Sequence, residues 1–202
     1  MNVDRAYAYC RRIAHQHGAN FSVGFRFLPR RKRRAVYAAY AFCRMADDIA
    51  DEGWSVIPVE AGVIPSEVEG SPSRIEAGDP STSLGMTRTT TLDLLDEWQR
   101  ELDAAYAGTP AHPITIALSD ALQHFDIPKR AFVELIDGCR QDLVKTRYET
   151  FAELLHYCDL VASTISDISL SIFGYKSGEA IGYGRKLSTA LQLTNGTRDV
   201  GD

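Results

Sequence analysis

The sequence predicts an all-α bundle, on three observations. Apolar residues recur three and four apart in one stretch after another, the spacing that lines one face of a helix. Nowhere does a strict apolar–polar alternation mark a strand. Gly, Pro and Thr fall between the periodic stretches, where helices stop and start. With 202 residues, 45% hydrophobic and 24% charged, the chain is expected to form a single domain over residues 1–202 with one sizeable core.

Ala6, Cys10, Ile13, Ala14 and His17 give an amphipathic first helix ending near Gly18. His15 and His17 are two apart, face different ways, and make no metal pair. Phe21, Phe25 and Leu28 then keep a helical spacing, which suits core packing or the wall of an apolar cavity. Pro29 opens a long helix that carries Tyr40-Ala41-Phe42-Cys43-Arg44-Met45-Ala46-Asp47-Asp48-Ile49-Ala50-Asp51-Glu52. On that helix Tyr40, Arg44, Asp47 and Asp51 form a polar stripe beside an apolar one of Val36, Ala39, Cys43, Ala46 and Ala50. The carboxylates therefore sit at the edge of a buried face. At i and i+4 they repel by ~0.2–0.5 kcal/mol even in the open, a cost that a bridging cation relieves. Taken alone, the same pattern also describes a solvated acidic helix end.

The run Arg30-Arg31-Lys32-Arg33-Arg34 begins this helix, where its charge opposes the helix dipole. A net charge of −5 and a pI of about 5.6 argue against a nucleic-acid partner. The run reads as a solvated basic patch, with anionic lipid headgroups as the alternative contact.

From Trp54 to about Thr90 the periodicity stops, Pro, Gly, Ser and Thr take over, and Val56-Ile57-Pro58 recurs as Val63-Ile64-Pro65. A structureless connection of this length inside a domain reads as a disordered insertion at about 54–90, dispensable for the fold. Thr91 is the expected N-cap of the next helix, which carries Leu95, Trp98, Leu102 and Ala105 and closes at Gly108. Ile114, Ala117, Leu118, Ala121, Leu122 and Phe125 make another. Pro128 precedes one with Phe132, Leu135, Ile136, Cys139 and Leu143. Thr150 caps one with Phe151, Leu154, Tyr157, Cys158, Val161, Ile165 and Ile168, and Glu179 to Asp202 is the last.

In that last stretch Gln192, Asn195, Asp199 and Asp202 share a helical face, with Arg198 beside them. Two facing helices of this kind can hold Mg²⁺, which wants hard oxygen ligands and keeps substrate phosphates in its shell. Cys10, Cys43, Cys139 and Cys158 have no C-x-x-C spacing and read as reduced thiols of a cytoplasmic protein. No signal peptide is expected, and Leu160 to Phe173 is too short and interrupted to span a membrane. His112, His124 and His156 are expected at the surface or at helix ends.

Tyr40-Ala41-Phe42-Cys43-Arg44 with Asp47-Asp48-Ile49-Ala50-Asp51, and Leu191-Gln192-Leu193-Thr194-Asn195 with Arg198-Asp199-Val200-Gly201, resemble the two signature segments of the squalene/phytoene synthase family. Asn20-Phe21, Asp142-Leu143 and Tyr157-Cys158 ahead of Val161-Ala162 also resemble family positions. The resemblance implies an all-α isoprenoid-synthase-type bundle that joins two allylic prenyl diphosphates, farnesyl or geranylgeranyl, head to head. It implies Mg²⁺ at Asp47, Asp51, Asn195 and Asp199, diphosphate at Arg44 and Arg198, and Tyr157 beside a carbocation. Phe21, Phe25, Tyr40 and Tyr157 are the residues expected to line an apolar cavity that excludes water and offers ring faces to the cation.

The family ordinarily continues beyond its second motif, so the chain is expected to be a truncated, partial domain of impaired activity, with a non-catalytic isoprenoid-diphosphate binder as the alternative. Gly196-Thr197 in mid-helix, Ser163 and Ser166 in place of glycines, and Asn20 in place of serine are further departures. No nicotinamide-binding signature supports a reductive second step.

Overall fold

Seven α-helices and no strand make up the described residues of the computed structural model, which are 1–17, 24–52, 80–145 and 147–198, with backbone alone at 52, 80–90 and 195–198. They are α1 (Val3–His17), α2 (Arg30–Glu52), α3 (Pro80–Ala107), α4 (Pro113–Leu122), α5 (Lys129–Val144), α6 (Phe151–Phe173) and α7 (Glu179–Arg198).

Helix α2 is the central element, touched by α1, α3, α4, α5 and α6. Val36, Ala39, Cys43 and Ala46 of its expected apolar stripe are buried and Ala50 is half-buried. A second stripe on the far side, Ala35, Ala38, Phe42, Met45 and Ile49, is buried as well. The helix is thus amphipathic only in a narrow arc, and small residues let its neighbours close in on the rest. Phe42 anchors this packing. It stacks on Trp98 of α3 at 4.8 Å and 20° and meets Phe132 of α5 edge-on at 5.0 Å. Trp98 Nε1 donates to the Phe42 carbonyl at 3.2 Å, which satisfies a donor that burial would otherwise strand.

The helix ends follow their local chemistry. At the close of α3, Gly108 has φ 79°, and Gly108 N and Thr109 N donate to the Ala105 and Ala104 carbonyls at 3.4 and 2.9 Å. This is the left-handed turn that glycine makes at little cost. Thr150 Oγ1 accepts from Glu153 N at 3.2 Å and caps α6 as the sequence predicts. Thr91 does not cap α3. That helix begins at Pro80, within the segment read as an insertion, and Thr91 is buried inside it. Pro is well suited to a first helical turn, so the start signal lies at Pro80. The paired Val-Ile-Pro words lie outside the described residues. Helix α4 stops at Leu122, leaving Phe125 in the turn that follows.

His112 is at a helix end but is not on the surface. It is buried, its Nδ1 accepts from Ile114 N at 3.2 Å to cap α4, and its ring stands edge-on to Trp98 at 5.1 Å. Burial brings its pKa down to about 4. His124 and His156 are exposed. All four cysteines are free and buried.

The basic run is less solvated than its sequence suggests. Lys32 Nζ donates to the Phe173 carbonyl at the end of α6 at 2.6 Å, and Arg33 to the Arg26 carbonyl at 3.1 Å. Arg34 pairs with Asp4 and lies 4.0 Å above the Tyr7 ring. Arg30 and Arg31 stay exposed. A lysine on the last carbonyls of a helix complements its negative end, which gives part of the run a structural use.

Helices α5, α6 and α7 pack antiparallel in succession. Arg130–Asp167, Gly138–Val161, Asp142–Tyr157 and Lys145–Glu153 descend one helix while climbing the next. Two bare helix surfaces permit the approach. A Cβ on Gly138 would stand 2.9 Å from Val161 Cγ2, and one on Gly184 would fall on Ser166 Oγ and lie 3.0 Å from Leu170 Cδ1. Asp167 locks the three helices. It is buried, takes Arg185 Nε at 3.1 Å and NH2 at 2.6 Å, and takes Arg130 NH2 at 3.1 Å. Among the described residues no helix is long and apolar enough to cross a membrane.

Candidate active site

The polar arc of α2 faces the C-terminal end of α5 and the start of α6. Four successive turns of α2 present Tyr40, Arg44, Asp47 with Asp48, and Asp51. Arg44 NH2 pairs with Asp48 at 2.5 Å, and its buried Nε has no hydrogen-bond partner among the described residues. Burial works against the Arg44 charge, but Asp48 and then Asp47 outweigh it, so its pKa lies above the ordinary value.

Asp47 is the strained carboxylate. Its Oδ1 accepts the Cys139 thiol from α5 at 3.7 Å. Burial pushes its pKa up to about 6, opposed by that thiol and by Arg44 and reinforced by the charges on Asp51 and Asp48. Cys139 in turn is pushed well up by burial and by Asp47.

Asp142 completes the group from the last turn of α5. Tyr157 of α6 donates its hydroxyl to Asp142 Oδ2 at 2.7 Å, and Tyr148 tilts against the Tyr157 ring at 5.1 Å and 34°. The Asp142 carboxyl is raised by burial and by the charge on Asp51, against the lowering effect of the Tyr157 hydrogen bond. The Tyr157 phenol is raised by burial and by its bond to Asp142.

The fold therefore gathers Arg44, Asp47, Asp51, Asp142 and Tyr157 from three helices. Tyr40 joins them on the α2 arc, where burial raises its phenol and Arg44 and Asp47 act on it with opposite signs. Phe25 stands edge-on to Tyr37 of α2 at 5.9 Å, one turn before Tyr40. Phe21, Asp199 and Asp202 lie outside the described residues. Asn195 and Arg198 lie on α7, which continues through Gly196 and Thr197, but only their backbone is described. The family resemblance gives Asp142 a position but no role. The usable signal was its place one turn after Cys139 on the same face of α5.

Carboxylate oxygens are the ligand type that a hard divalent cation takes. The charge of Asp51 bears on both Asp47 and Asp142, Asp48 bears on Asp47, Asp47 is largely buried, and the nearby arginine is paired with Asp48. Among the described residues no three His, Cys, Asp or Glu side chains stand together as a group that could hold a metal ion. A separate groove of about 550 Å³ runs between α6 and α7, lined by Leu155, His156, Asp159, Arg185 and Leu193 among others, none of them among the expected site residues.

Known proteins resemble this chain in sequence and in fold. The family model described as squalene/phytoene synthase matches residues 14–202. The phytoene synthase of Arthrospira platensis is 32% identical over 210 residues, covering 98% of this chain and 58% of that protein. Two solved structures superpose with TM-scores of 0.72. One is a dehydrosqualene synthase in complex with ligand, 27% identical, and the other is the squalene synthase HpnC from Alicyclobacillus acidocaldarius, 30% identical. Each match covers 96% of this chain, with 56% and 60% of those chains respectively, so the chain spans between half and two thirds of the length of these relatives. With both signature segments inside the matched region and an all-helical fold that carries the first of them beside Tyr157, the chain belongs to the squalene/phytoene synthase family.

Proposed function

We propose that this chain serves a prenyltransferase reaction in which two allylic prenyl diphosphates, farnesyl or geranylgeranyl, are joined head to head in the presence of Mg²⁺. The observation that carries this reading is that Asp47 of α2 and Asp142 of α5 both lie within the field of Asp51, with Tyr157 bonded to Asp142. A diphosphate cannot approach such a group of carboxylates unaided. Asp47 and Asp51, with Asn195 and Asp199 as the further ligands the family pattern implies, would hold Mg²⁺, which would supply positive charge to the leaving diphosphate.

The chain's own residues then have distinct work. Arg44 offers a planar fork whose Nε is unengaged, suited to a diphosphate oxygen, and Arg198 is the second arginine of this kind. Ionisation leaves an allylic cation that water would quench. Tyr40, Tyr148 and Tyr157 offer it electron-rich ring faces.

The test is pyrophosphate release from farnesyl and geranylgeranyl diphosphate with Mg²⁺, followed by product analysis, since only a head-to-head reaction consumes two identical allylic diphosphates. Asp47→Ala is expected to abolish release. Undiminished release by that variant would remove the metal assignment.

A further inference from the structure

One member of the site has no role in the scheme above beyond its charge. Asp142 stands exposed at the end of α5 and takes the Tyr157 hydroxyl at 2.7 Å. A hydrogen bond at so exposed a carboxylate is a modest contributor to stability. Against that gain stands the charge of Asp51, which Asp142 must tolerate nearby. Stability alone is a poor reason to keep a third carboxylate here.

The phenol is held at a second point. Tyr148 lies against the Tyr157 ring, and Lys145, paired with Glu153 at 2.8 Å, sits 4.7 Å over the Tyr148 ring. Oxygen and ring face of Tyr157 are thus both constrained, by residues from the end of α5 and the link that follows it. A phenol whose proton is committed to a carboxylate cannot turn that proton toward an incoming group. What its oxygen offers elsewhere is lone-pair density, enriched by the charge-assisted bond.

Resting on the prenyltransferase reading, we infer that Asp142 is the positioning residue of Tyr157, fixing the phenol through its proton so that the oxygen meets an allylic cation with its lone pairs. Asp142 itself touches no reacting atom.

Two measurements test this. Protein labelled with ¹³Cζ-tyrosine gives one resonance that disappears in Tyr157→Phe, and this resonance is expected to move in Asp142→Ala and to return in Asp142→Glu. In pyrophosphate release with Mg²⁺, Asp142→Ala is expected to lower kcat roughly 10–100-fold, the size seen when a partner behind a functional group is removed, with KM within about twofold. The double variant Asp142→Ala/Tyr157→Phe is expected to be no slower than Tyr157→Phe. An unmoved resonance, or losses that multiply in the double variant, would overturn the inference while leaving the prenyltransferase reading intact. A folded wild-type chain that releases no pyrophosphate would overturn both, and a wild type that does release it separates the two outcomes.

Discussion

The Cys139 thiol of α5 reaches Asp47 Oδ1 of α2 at 3.7 Å, so the largely buried carboxylate of the first acidic motif leans on a weak sulfur donor. Burial pushes the Asp47 pKa up to about 6, well above an ordinary carboxylate, and the weak thiol donor offsets that only in part.

A pH dependence follows. Because the folded-state value lies above the unfolded one, the folded chain holds more protons than the unfolded chain between about 4 and 6. This group's contribution is fully present below about 4 and is lost as pH rises through about 6. Metal-free protein, kept with EDTA, is expected to show that decline in urea melts, and Asp47→Asn is expected to flatten it. At pH 7, Mg²⁺ is expected to raise the melting temperature of the wild type and not of the Asp47→Asn variant, since a ligand that binds only the folded state stabilises it.

Asp167 is expected to matter more than any one of its arginines. Its side chain is 6% exposed, whereas Arg185 is 34% and Arg130 61% exposed and can return to water. Asp167→Ala is expected to cost about 1–3 kcal/mol in urea unfolding, as a buried hydrogen-bonded charge does. Arg130→Ala is expected to cost under about 1 kcal/mol. Equal losses for the two would contradict the exposure difference.

Trp98 is fully buried between Phe42 and His112. Trp98→Ala is expected to destabilise the fold by about 3–5 kcal/mol, measured by denaturant unfolding followed by circular dichroism. Trp98→Phe, which keeps the stack and loses only the Nε1 bond and some area, is expected to cost markedly less.

Gly184 and Ser166 form a matched pair across α6 and α7. Gly184→Ala places a methyl on Ser166 Oγ and close to Leu170, and is expected to lower stability by about 1–3 kcal/mol. Adding Ser166→Ala removes the obstructing oxygen and is expected to recover much of that loss. A double variant no better than Gly184→Ala alone would show that Leu170 dictates the fit.

Much of the fold was legible in the sequence because each helix carries its own period and punctuation. Thr150, Pro128 and Gly108 mark boundaries through their own backbone chemistry, and the structure uses all three. Thr91 misled because a threonine before an apolar run looks like a cap, while the residues from Pro80 onward hide a helix in Ser, Thr and Gly, which favour other conformations. The far face of α2 was missed for a different reason. Phe42, Met45 and Ile49 look like a helix's ordinary apolar content, and only the crowd of neighbours shows that both faces are covered. In the site, Arg44, Asp47 and Asp51 announce themselves by spacing. Asp142 takes the Tyr157 hydroxyl and comes under the charge of Asp51 only because three helices pack together, which periodicity cannot express.

The bare surface of Gly138 has a mechanical meaning. Val161 seats there with no room for a methyl, and one helical turn further along lie Asp142 on one helix and Tyr157 on the other. The contact is a fulcrum: a side chain at 138 meets the stiff Val161 methyl, and where α5 and α6 part to admit it the gap between carboxylate and phenol widens, so a missing side chain gauges the reach of a hydrogen bond about 6 Å down the axis.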